Sequence, residues 1–538
     1  VLSFLPGTTF ADFIERRGSR DPDRVFITLV RRGCSTAELT FGELDRLSSK
    51  VAQALYLAGA DPGARVLILA PNSLEMVLAI AATARSGLVS VPVNASSVAS
   101  EIAYLVELVD PTVIIVGTPQ LPELAAAAIP ARKAKLVVVI GGDAPELDCA
   151  SSTLTWEEFL ADGGRASSAV VPRPQPGDLF QLLMTSGTTG RPKAVMHSHA
   201  TRLRSAYRVA LHARIRDDDV VLNPFPAFHI NCLDSAIFPA LVTGARAVIF
   251  SSFSASEFWP AVRSERATVV AVLPTVIRAL SAVPAAPEDR EHRIRLVLGA
   301  LRPTQAELET FVARFAIPRY ETGYGLTEAG MAVTQTISDL DARYPSIGVP
   351  MFDRSVDLID ESGQPVPTGD TGEIVVGLIP AGSVMDGYWR DPAATARALD
   401  GGWLHTGDLA RRDQDGFFYF VGRAKDVIKR SGENIGAEEV EAVLTEHPGI
   451  RETAVIGIPD AYRDEAVMAF VVPDESCPAI TLADVRAFCV GRIADYKVPS
   501  VVQVIGTLPR GVLGKVDKNA LRAIAAAGRE ELGGDRHG

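Results

Sequence analysis

The sequence predicts an α/β protein: a large N-terminal domain of parallel-sheet layers that includes a β-rich subdomain, then a small, mobile α+β C-terminal domain. Three observations carry this expectation. Residues 1–95 alternate helical and strand patterns in β-α-β order, which implies a parallel sheet. Residues 340–400 hold a run of short strands, 355–359 and 373–376 among them, with Gly-Asp and Gly-Gln turns, a β-rich pattern. The length, 538 residues, exceeds what one hydrophobic core fills and suggests roughly three or four domain-sized units.

Each element follows from local chemistry. Thr40-Phe41-Gly42-Glu43 is a capping box opening an amphipathic helix through Leu44, Leu47, Val51 and Leu55, and Gly59 closes it. Residues 65–70 read as a buried strand, 76–84 as an apolar helix and 89–93 as the next strand. Further strands are expected near 113–116 and 136–140. Residues 161–178 are rich in Pro, Gly and Ser and read as a linker. Ser198 starts a helix, residues 294–299 form a strand, and Asp415-Gly416 turns a hairpin between 409–412 and 417–421. Residues 437–444 form an amphipathic helix, and 455–458 and 467–472 read as short strands, the second stopped by Pro473. Residues after about 525 are expected to fray, with 529–538 a disordered tail.

Composition excludes several classes. A formal charge of −12 argues against broad binding of nucleic acid or anionic membrane, which needs a basic surface. Five scattered cysteines, with no C-x-x-C pair, fit reduced thiols in a cytosol and neither a disulfide frame nor a zinc site. No basic–apolar–small-residue leader opens the sequence, and the apolar stretch 76–84 is too short to span a bilayer. A cytoplasmic protein with no integral membrane segment is expected.

The stretch Thr185-Ser186-Gly187-Thr188-Thr189-Gly190-Arg191-Pro192-Lys193 holds two glycines, four hydroxyl residues and two cations between apolar runs. Glycine lets the backbone bring successive N–H groups close to an anion, and the hydroxyls add short donors. This is a phosphate grip, but not a Walker loop: Pro192 stands where a glycine is needed, and Ala194 follows the lysine. Pro192 and the run after it favour a strand over a helix.

A second motif is Arg319-Tyr320-Glu321-Thr322-Gly323-Tyr324-Gly325-Leu326-Thr327-Glu328. Two glycines flanking Tyr324 permit a tight turn that presents the ring, a good platform for a purine. Thr327 can meet a phosphate oxygen, and Glu328 can take a Mg²⁺ that clamps phosphates.

The first motif resembles the signature of the adenylate-forming superfamily of acyl-CoA synthetases, luciferases and peptide-synthetase adenylation domains, and the second matches its Y-G-x-T-E. The resemblance runs from about Thr8 to Arg522. It is nearest to the carnitine/crotonobetaine-CoA ligase-like branch, through the phrases 226–230, 258–259, 344–348 and 463–466. It implies ATP, Mg²⁺ and coenzyme A as ligands. Thr185, Ser186, Gly187, Thr188, Thr189, Gly190, Lys193 and Thr327 would bind phosphates, with Glu328 on the metal. Gly299, Ala300, Leu301, Glu321, Thr322, Tyr324 and Phe420 would surround adenine, and Asp408 and Arg423 the ribose. His229, Ile230, Asn231, Thr275, Gly323 and Met331 would line the acyl pocket, with His229 a gate between half-reactions. Lys425 matches the interdomain hinge, which sets a boundary at 424/425 between an AMP-binding domain, 1–424, and a mobile domain, 425–528. Lys429 and Gly432 match the thiolation side, and Lys515, at a loop tip, the adenylating lysine.

The expected activity is an ATP-dependent acyl-CoA ligase that makes an acyl-AMP and passes the acyl group to CoA. No acidic residue lies between Asn223 and Asn231 to hold an α-ammonium, and Asp234 falls later, which tilts the acid from amino acids to a neutral, apolar one, bulky fatty, aryl or terpenoid acids included. A carnitine-type ligase, an acyl-AMP ligase loading a carrier protein, a luciferase-like oxygenase and a non-catalytic nucleotide binder are the alternatives. A homodimer is compatible with the resemblance.

Overall fold

Side chains of the strand Arg65–Leu69 alternate between two cores. Val66 and Ile68 join Phe10, Phe41, Leu55 and Ile80 in one apolar cluster, while Leu67 and Leu69 join Val91, Ile102 and Val116 in another. A strand buried on both faces is apolar throughout, which is why this segment shows no polar alternation. The computed structural model describes residues 8–165, 171–185, 192–300, 303–337, 343–380, 382–430, 433–460, 464–474, 477, 479–490, 492–493, 495–510 and 515–533.

The described residues group into two compact units. One draws on 1–187, 191–356 and 376–404, the other on 357–375 and 405–538. The first contains an eight-stranded sheet in the order Gly387–Tyr388, Lys193–Ser198, Leu179–Thr185, Val89–Pro92, Arg65–Leu69, Val113–Gly117, Leu136–Ile140, Thr153–Thr155. From Leu179–Thr185 onward its neighbours are parallel. The helix Leu74–Ser86 is the crossover between Arg65–Leu69 and Val89–Pro92, as the β-α-β order requires. A nine-stranded sheet runs Val349–Pro350, Gly330–Ile337, Tyr320–Leu326, Leu296–Gly299, Val269–Val272, Val220–Asn223, Arg246–Phe250, Val25–Val30, Thr36–Thr40. Its residues alternate likewise: Leu296 and Leu298 face the shared central core, Val297 a third cluster with Phe258, Phe311 and Phe315. Two sheets each covered on both faces give a five-layer unit.

The capping box is present: Thr40 N–H donates to Glu43 Oε2 at 2.9 Å and Glu43 N–H to Thr40 Oγ1 at 3.1 Å, opening the helix Phe41–Leu57. Gly59 follows with φ +80°, the left-handed stop glycine supplies. Residues 161–165 are a correction. They end the helix Trp156–Arg165 and are no linker. A Cβ on Gly163 would lie 2.1 Å from the Lys50 carbonyl oxygen, so this glycine permits close helix packing where the sequence suggested a break.

In the second unit, Asp357–Val375 and 405–423 supply the β-rich part, with the hairpin Trp403–Arg412 to Phe418–Arg423 turning at Gly416, φ +86°. Compact packing groups 405–424 with the C-terminal residues, so this unit begins upstream of the sequence boundary at 424/425. The C-terminal sheet is Glu433–Gly436, Val427–Arg430, Asp464–Pro473 and Ile450–Asp460, with Val501–Val504 parallel to Asp464–Pro473. Two of these strands are longer than the apolar stretches 455–458 and 467–472, because pairing runs on through polar residues from Ile450↔Pro473 to Asp460↔Asp464. The helix Ala437–Thr445 covers one face through Val440 and Leu444. The helix Lys518–Gly533 covers the other through Leu521 and Ala525, and its backbone continues past the point where fraying was expected; residues 534–538 lie outside the described residues.

Candidate active site

The phosphate-grip motif begins and ends on paired strands. Leu179–Thr185 and Lys193–Ser198 are antiparallel, with Thr185 directly opposite Lys193. The strand expected after Pro192 is there, and Ser186, Gly187, Thr188, Thr189 and Gly190 lie outside the described residues. Lys193 Nζ stands 4.7 Å from the ring centroid of Tyr388, within cation–π range. The Tyr388 hydroxyl donates to Glu328 Oε1 at 2.8 Å. Met385 N–H donates to the Glu328 carbonyl at 2.6 Å. Thus Tyr388 links Lys193, opposite Thr185, to Glu328, more than a hundred positions further along the chain, in one corner of the first unit.

Gly323-Tyr324-Gly325 is not the tight turn expected. It lies inside the strand Tyr320–Leu326, paired with Gly330–Ile337 and bulged between Tyr324 and Gly325. The glycines are needed for space: a Cβ on Gly323 would sit 2.9 Å from the Val333 carbonyl oxygen, and one on Gly325 2.6 Å from that of Gly330. The turn falls later, at Thr327–Ala329, and carries Thr327 and Glu328, both half-buried. Gly299 likewise has a packing cause, since a Cβ there would meet Tyr320 Oη at 2.1 Å. Ala300 follows, its N–H donating to the Val272 carbonyl at 3.3 Å, and Leu301 lies outside the described residues.

The Glu321 carboxylate is buried at 2 % exposure, paired with Arg319 and 2.9 Å from His212 Nε2. The Thr322 carbonyl accepts from Thr334 Oγ1 at 3.1 Å, and Tyr324 is half-buried. Around the acyl-pocket candidates, His229 Nδ1 accepts from Asn231 N–H at 3.2 Å, and Asn223 Nδ2 donates to Asn231 Oδ1 at 3.1 Å. His229, Ile230 and Asn231 are half-buried, just before a π-helical turn at Leu233–Ile237. Such turns recur at functional sites. Met331 lies against Gly323, while Thr275 is exposed in the first turn of the helix Pro274–Ala282.

Beneath the Thr327–Ala329 turn lies a buried polar layer that the sequence reading missed. Arg202 pairs with Asp234 at 2.7 Å, and Ser205 Oγ donates to Asp234 Oδ2 at 2.5 Å. Arg208 makes two bonds to Asp353, at 2.7 and 3.0 Å. Arg354 donates to the carbonyls of Ala329 and Ser383, and burial, then the charge of Arg208, lower its pKa to about 8. His197 is pushed well below the usual histidine range, by burial first and then by the Arg202 charge, so it is neutral. The faint signal was the spacing Arg202, Ser205, Arg208 along one face of the helix His199–His212.

In the second unit, Asp408 is 6 % exposed and faces Arg423 across the hairpin, with Arg423 Nε 3.4 Å from Oδ1. Phe420 pairs with Ala410 on the same two strands. Glu438, at the start of the helix Ala437–Thr445, is pushed up to about 7, first by burial; Lys518 lowers it, and Glu441 and Asp408 raise it. Lys425 lies in the 3₁₀ turn Ala424–Asp426, and Asp426 accepts from Arg522 at 2.8 Å. Lys429 is opposite Asn434, and Gly432 lies outside the described residues. Lys515 is exposed, beside the bridge Arg510↔Val516.

Comparison with known proteins decides the class. The AMP-binding enzyme family matches residues 14–389, and the AMP-binding enzyme C-terminal domain matches 439–515. The chain belongs to the AMP-binding enzyme family. It is 34 % identical over 491 residues to the crotonobetaine/carnitine–CoA ligase of Salmonella paratyphi B, covering 90 % of this chain and 93 % of the relative. ATP-bound MatB from Rhodopseudomonas palustris superposes with TM-score 0.81 at 27 % identity, covering 96 % of this chain and 99 % of that one. The o-succinylbenzoate CoA synthetase of Bacillus subtilis, with its acyl-adenylate, gives TM-score 0.80 at 25 % identity, covering 96 % and 99 %. The chain is therefore an adenylate-forming enzyme of the AMP-forming acid–thiol ligase class. Lys193, His229 and Glu328 fall in the first family segment, and Lys515 is the last residue of the second. Among the described residues no helix is long and apolar enough to cross a membrane.

Proposed function

We propose that this AMP-binding enzyme activates a neutral, apolar carboxylic acid with ATP and transfers the acyl group to coenzyme A. The observation that carries the reading is the corner where Lys193, opposite Thr185 at the ends of the phosphate grip, is linked through Tyr388 to Glu328 within one family segment. Occupation of Asp234 by Arg202 and Ser205 supports a neutral acid, because that carboxylate is already neutralised and buried.

In the first step a carboxylate oxygen of the acid attacks the α-phosphorus of ATP. The bond to the bridging oxygen breaks and pyrophosphate leaves. The carboxylate has become a mixed anhydride with AMP as a good leaving group. In the second step a thiolate attacks the acyl carbon and the bond to AMP breaks. No covalent enzyme nucleophile is needed, only positioning and neutralisation where phosphate charge moves. Thr185, Lys193 and Thr327 hold phosphates. Asp408, with two acceptor oxygens, holds the ribose diol beside Arg423. Lys515 neutralises charge in the first step, His229 gates the acyl pocket, and the Lys429 side serves thiolation after the small domain turns at Lys425.

Glu328 fits Mg²⁺. It is a half-buried hard oxygen donor, and among the described residues no cluster of three His, Cys, Asp or Glu is placed to hold a metal alone. That donor set suits an ion shared between one carboxylate and substrate phosphates. When bound, Mg²⁺ supplies neutralisation of phosphate charge.

The test is mass spectrometry of reactions with ATP, Mg²⁺ and a panel of apolar acids plus carnitine and crotonobetaine, with and without CoA. Acyl-AMP that becomes acyl-CoA supports the reading. Turnover of the quaternary-ammonium acids alone moves the substrate to that of the named Salmonella relative. Acyl-AMP that persists with CoA points to a carrier protein, and nucleotide binding without pyrophosphate release to a non-catalytic role.

A further inference from the structure

We infer that Tyr388 is a positioning residue that presets the cation-binding carboxylate of Glu328 and ties it to Lys193. The inference rests on the metal role proposed for Glu328 and adds what holds that side chain. Tyr388 belongs to the two-residue strand Gly387–Tyr388, paired with the strand that leaves the phosphate grip, Gly387↔Met196 and Tyr388↔Val195. Its backbone is clamped on both flanks. Asp386 N–H donates to the Met196 carbonyl at 2.9 Å, Trp389 N–H to that of Ala194 at 2.8 Å, and Tyr388 N–H to Thr395 Oγ1 at 2.9 Å. Gly387 has φ +132°, and a Cβ there would lie 2.7 Å from Thr395 Cγ2, so the strand comes closer than a side chain would allow.

From this fixed base the phenol reaches across the fold to Glu328 Oε1 at 2.8 Å. A donor on one oxygen fixes rotation of the carboxylate about its last bond, so the direction in which it meets a cation is set beforehand. The Glu328 backbone is held separately, through its carbonyl and Met385 N–H at 2.6 Å. The ring face meanwhile carries Lys193 Nζ at 4.7 Å from its centroid. One side chain thus touches a cation of the phosphate grip and the carboxylate of the metal site. Carboxylates that bind metals are routinely oriented by outer hydrogen bonds, and losing such a partner weakens metal affinity by about 10- to 100-fold.

The experiment measures how much Mn²⁺ tightens binding of α,β-methylene-ATP to the full chain, with no acid present, in wild type and Tyr388→Phe. Calorimetric titrations with and without Mn²⁺ give the ratio. Tyr388→Phe keeps the ring over Lys193 and removes only the hydroxyl. The tightening is expected to fall by about 10- to 100-fold, while affinity for the metal-free analogue stays as in wild type. The Mg²⁺ concentration for half-maximal pyrophosphate exchange is expected to rise in parallel, with KM for the acid unchanged. An equal ratio in wild type and Tyr388→Phe overturns the inference alone. Wild-type binding that is indifferent to Mn²⁺ overturns the metal role of Glu328 as well. Should Tyr388→Phe not fold, Tyr388→Leu, whose side chain has no donor for Glu328, carries the same expectation for the Mn²⁺ ratio.

Discussion

Asp408 faces Arg423 across the antiparallel strands Trp403–Arg412 and Phe418–Arg423, with Arg423 Nε 3.4 Å from the carboxylate. The Asp408 backbone is fixed too, its N–H donating to Thr406 Oγ1 at 3.1 Å. In the proposed ribose site, a carboxylate held this way would have its acceptors aimed before the diol arrives. Asp408→Asn keeps shape and loses charge. Hydrogen bonds to a charged group contribute about 1.5–3 kcal/mol, which corresponds to roughly 10- to 150-fold. The ATP KM in pyrophosphate exchange is therefore expected to rise by about that factor, with the acid KM little changed. A shift confined to the acid KM would remove Asp408 from the nucleotide site.

The adenylating role proposed for Lys515 predicts that its loss separates the two half-reactions. The lysine is exposed and precedes Val516, which bridges to Arg510, itself paired with Glu452. A single preorganised contact on developing phosphate charge is worth about 10²- to 10³-fold in rate. Lys515→Ala is expected to slow pyrophosphate exchange by about that factor, yet to convert supplied acyl-AMP and CoA to thioester at near the wild-type rate. Stopped-flow measurement of each half-reaction checks this. Equal loss in both would end the assignment to adenylation.

The buried layer under the Thr327–Ala329 turn is a stability element as well as a platform. Arg202 and Asp234 have side-chain exposures of 1 % and 10 % and pair at 2.7 Å. Asp234→Leu strands the Arg202 charge and is expected to cost about 3–5 kcal/mol, because a buried charge without its partner keeps its desolvation penalty. Replacing both, Arg202→Met with Asp234→Leu, should recover much of that loss, since well-packed apolar groups often replace a buried pair at little cost. Urea denaturation of the two variants measures both. A double variant no better than the single one would mean that packing, not charge, sets the cost.

How much of this was legible depends on the range of the interaction. The Thr40–Glu43 cap and the strand that follows Pro192 are local chemistry, and both were legible in the sequence. Gly163, Gly323 and Gly325 misled because each is small for the sake of a distant backbone: the carbonyls of Lys50, Val333 and Gly330. A lone glycine looks the same whether it turns the chain or lets another strand approach. Tyr388 was invisible for the same reason, since its partners Lys193 and Glu328 are 195 and 60 positions away in the numbering of the chain.

Glu438 gives the fold a dependence on pH that can be signed. Its carboxyl is pushed from the ordinary 4.5 up to about 7, by burial first, with Glu441 and Asp408 adding and Lys518 and Arg423 opposing. Between those two values the unfolded chain has released the proton and the folded chain retains it. The folded state then binds more protons, so this group's contribution to stability falls as pH rises through the window, and the full cost is present above about 7. Glu438→Gln removes the titration. The variant is expected to match wild type near pH 4.5 and to unfold at a higher temperature than wild type at pH 8. Thermal melts across that range decide it: parallel curves for the two proteins would show that Glu438 ionises freely in the folded state, and that the neighbouring carboxylates of Asp408 and Glu441 do not reach it.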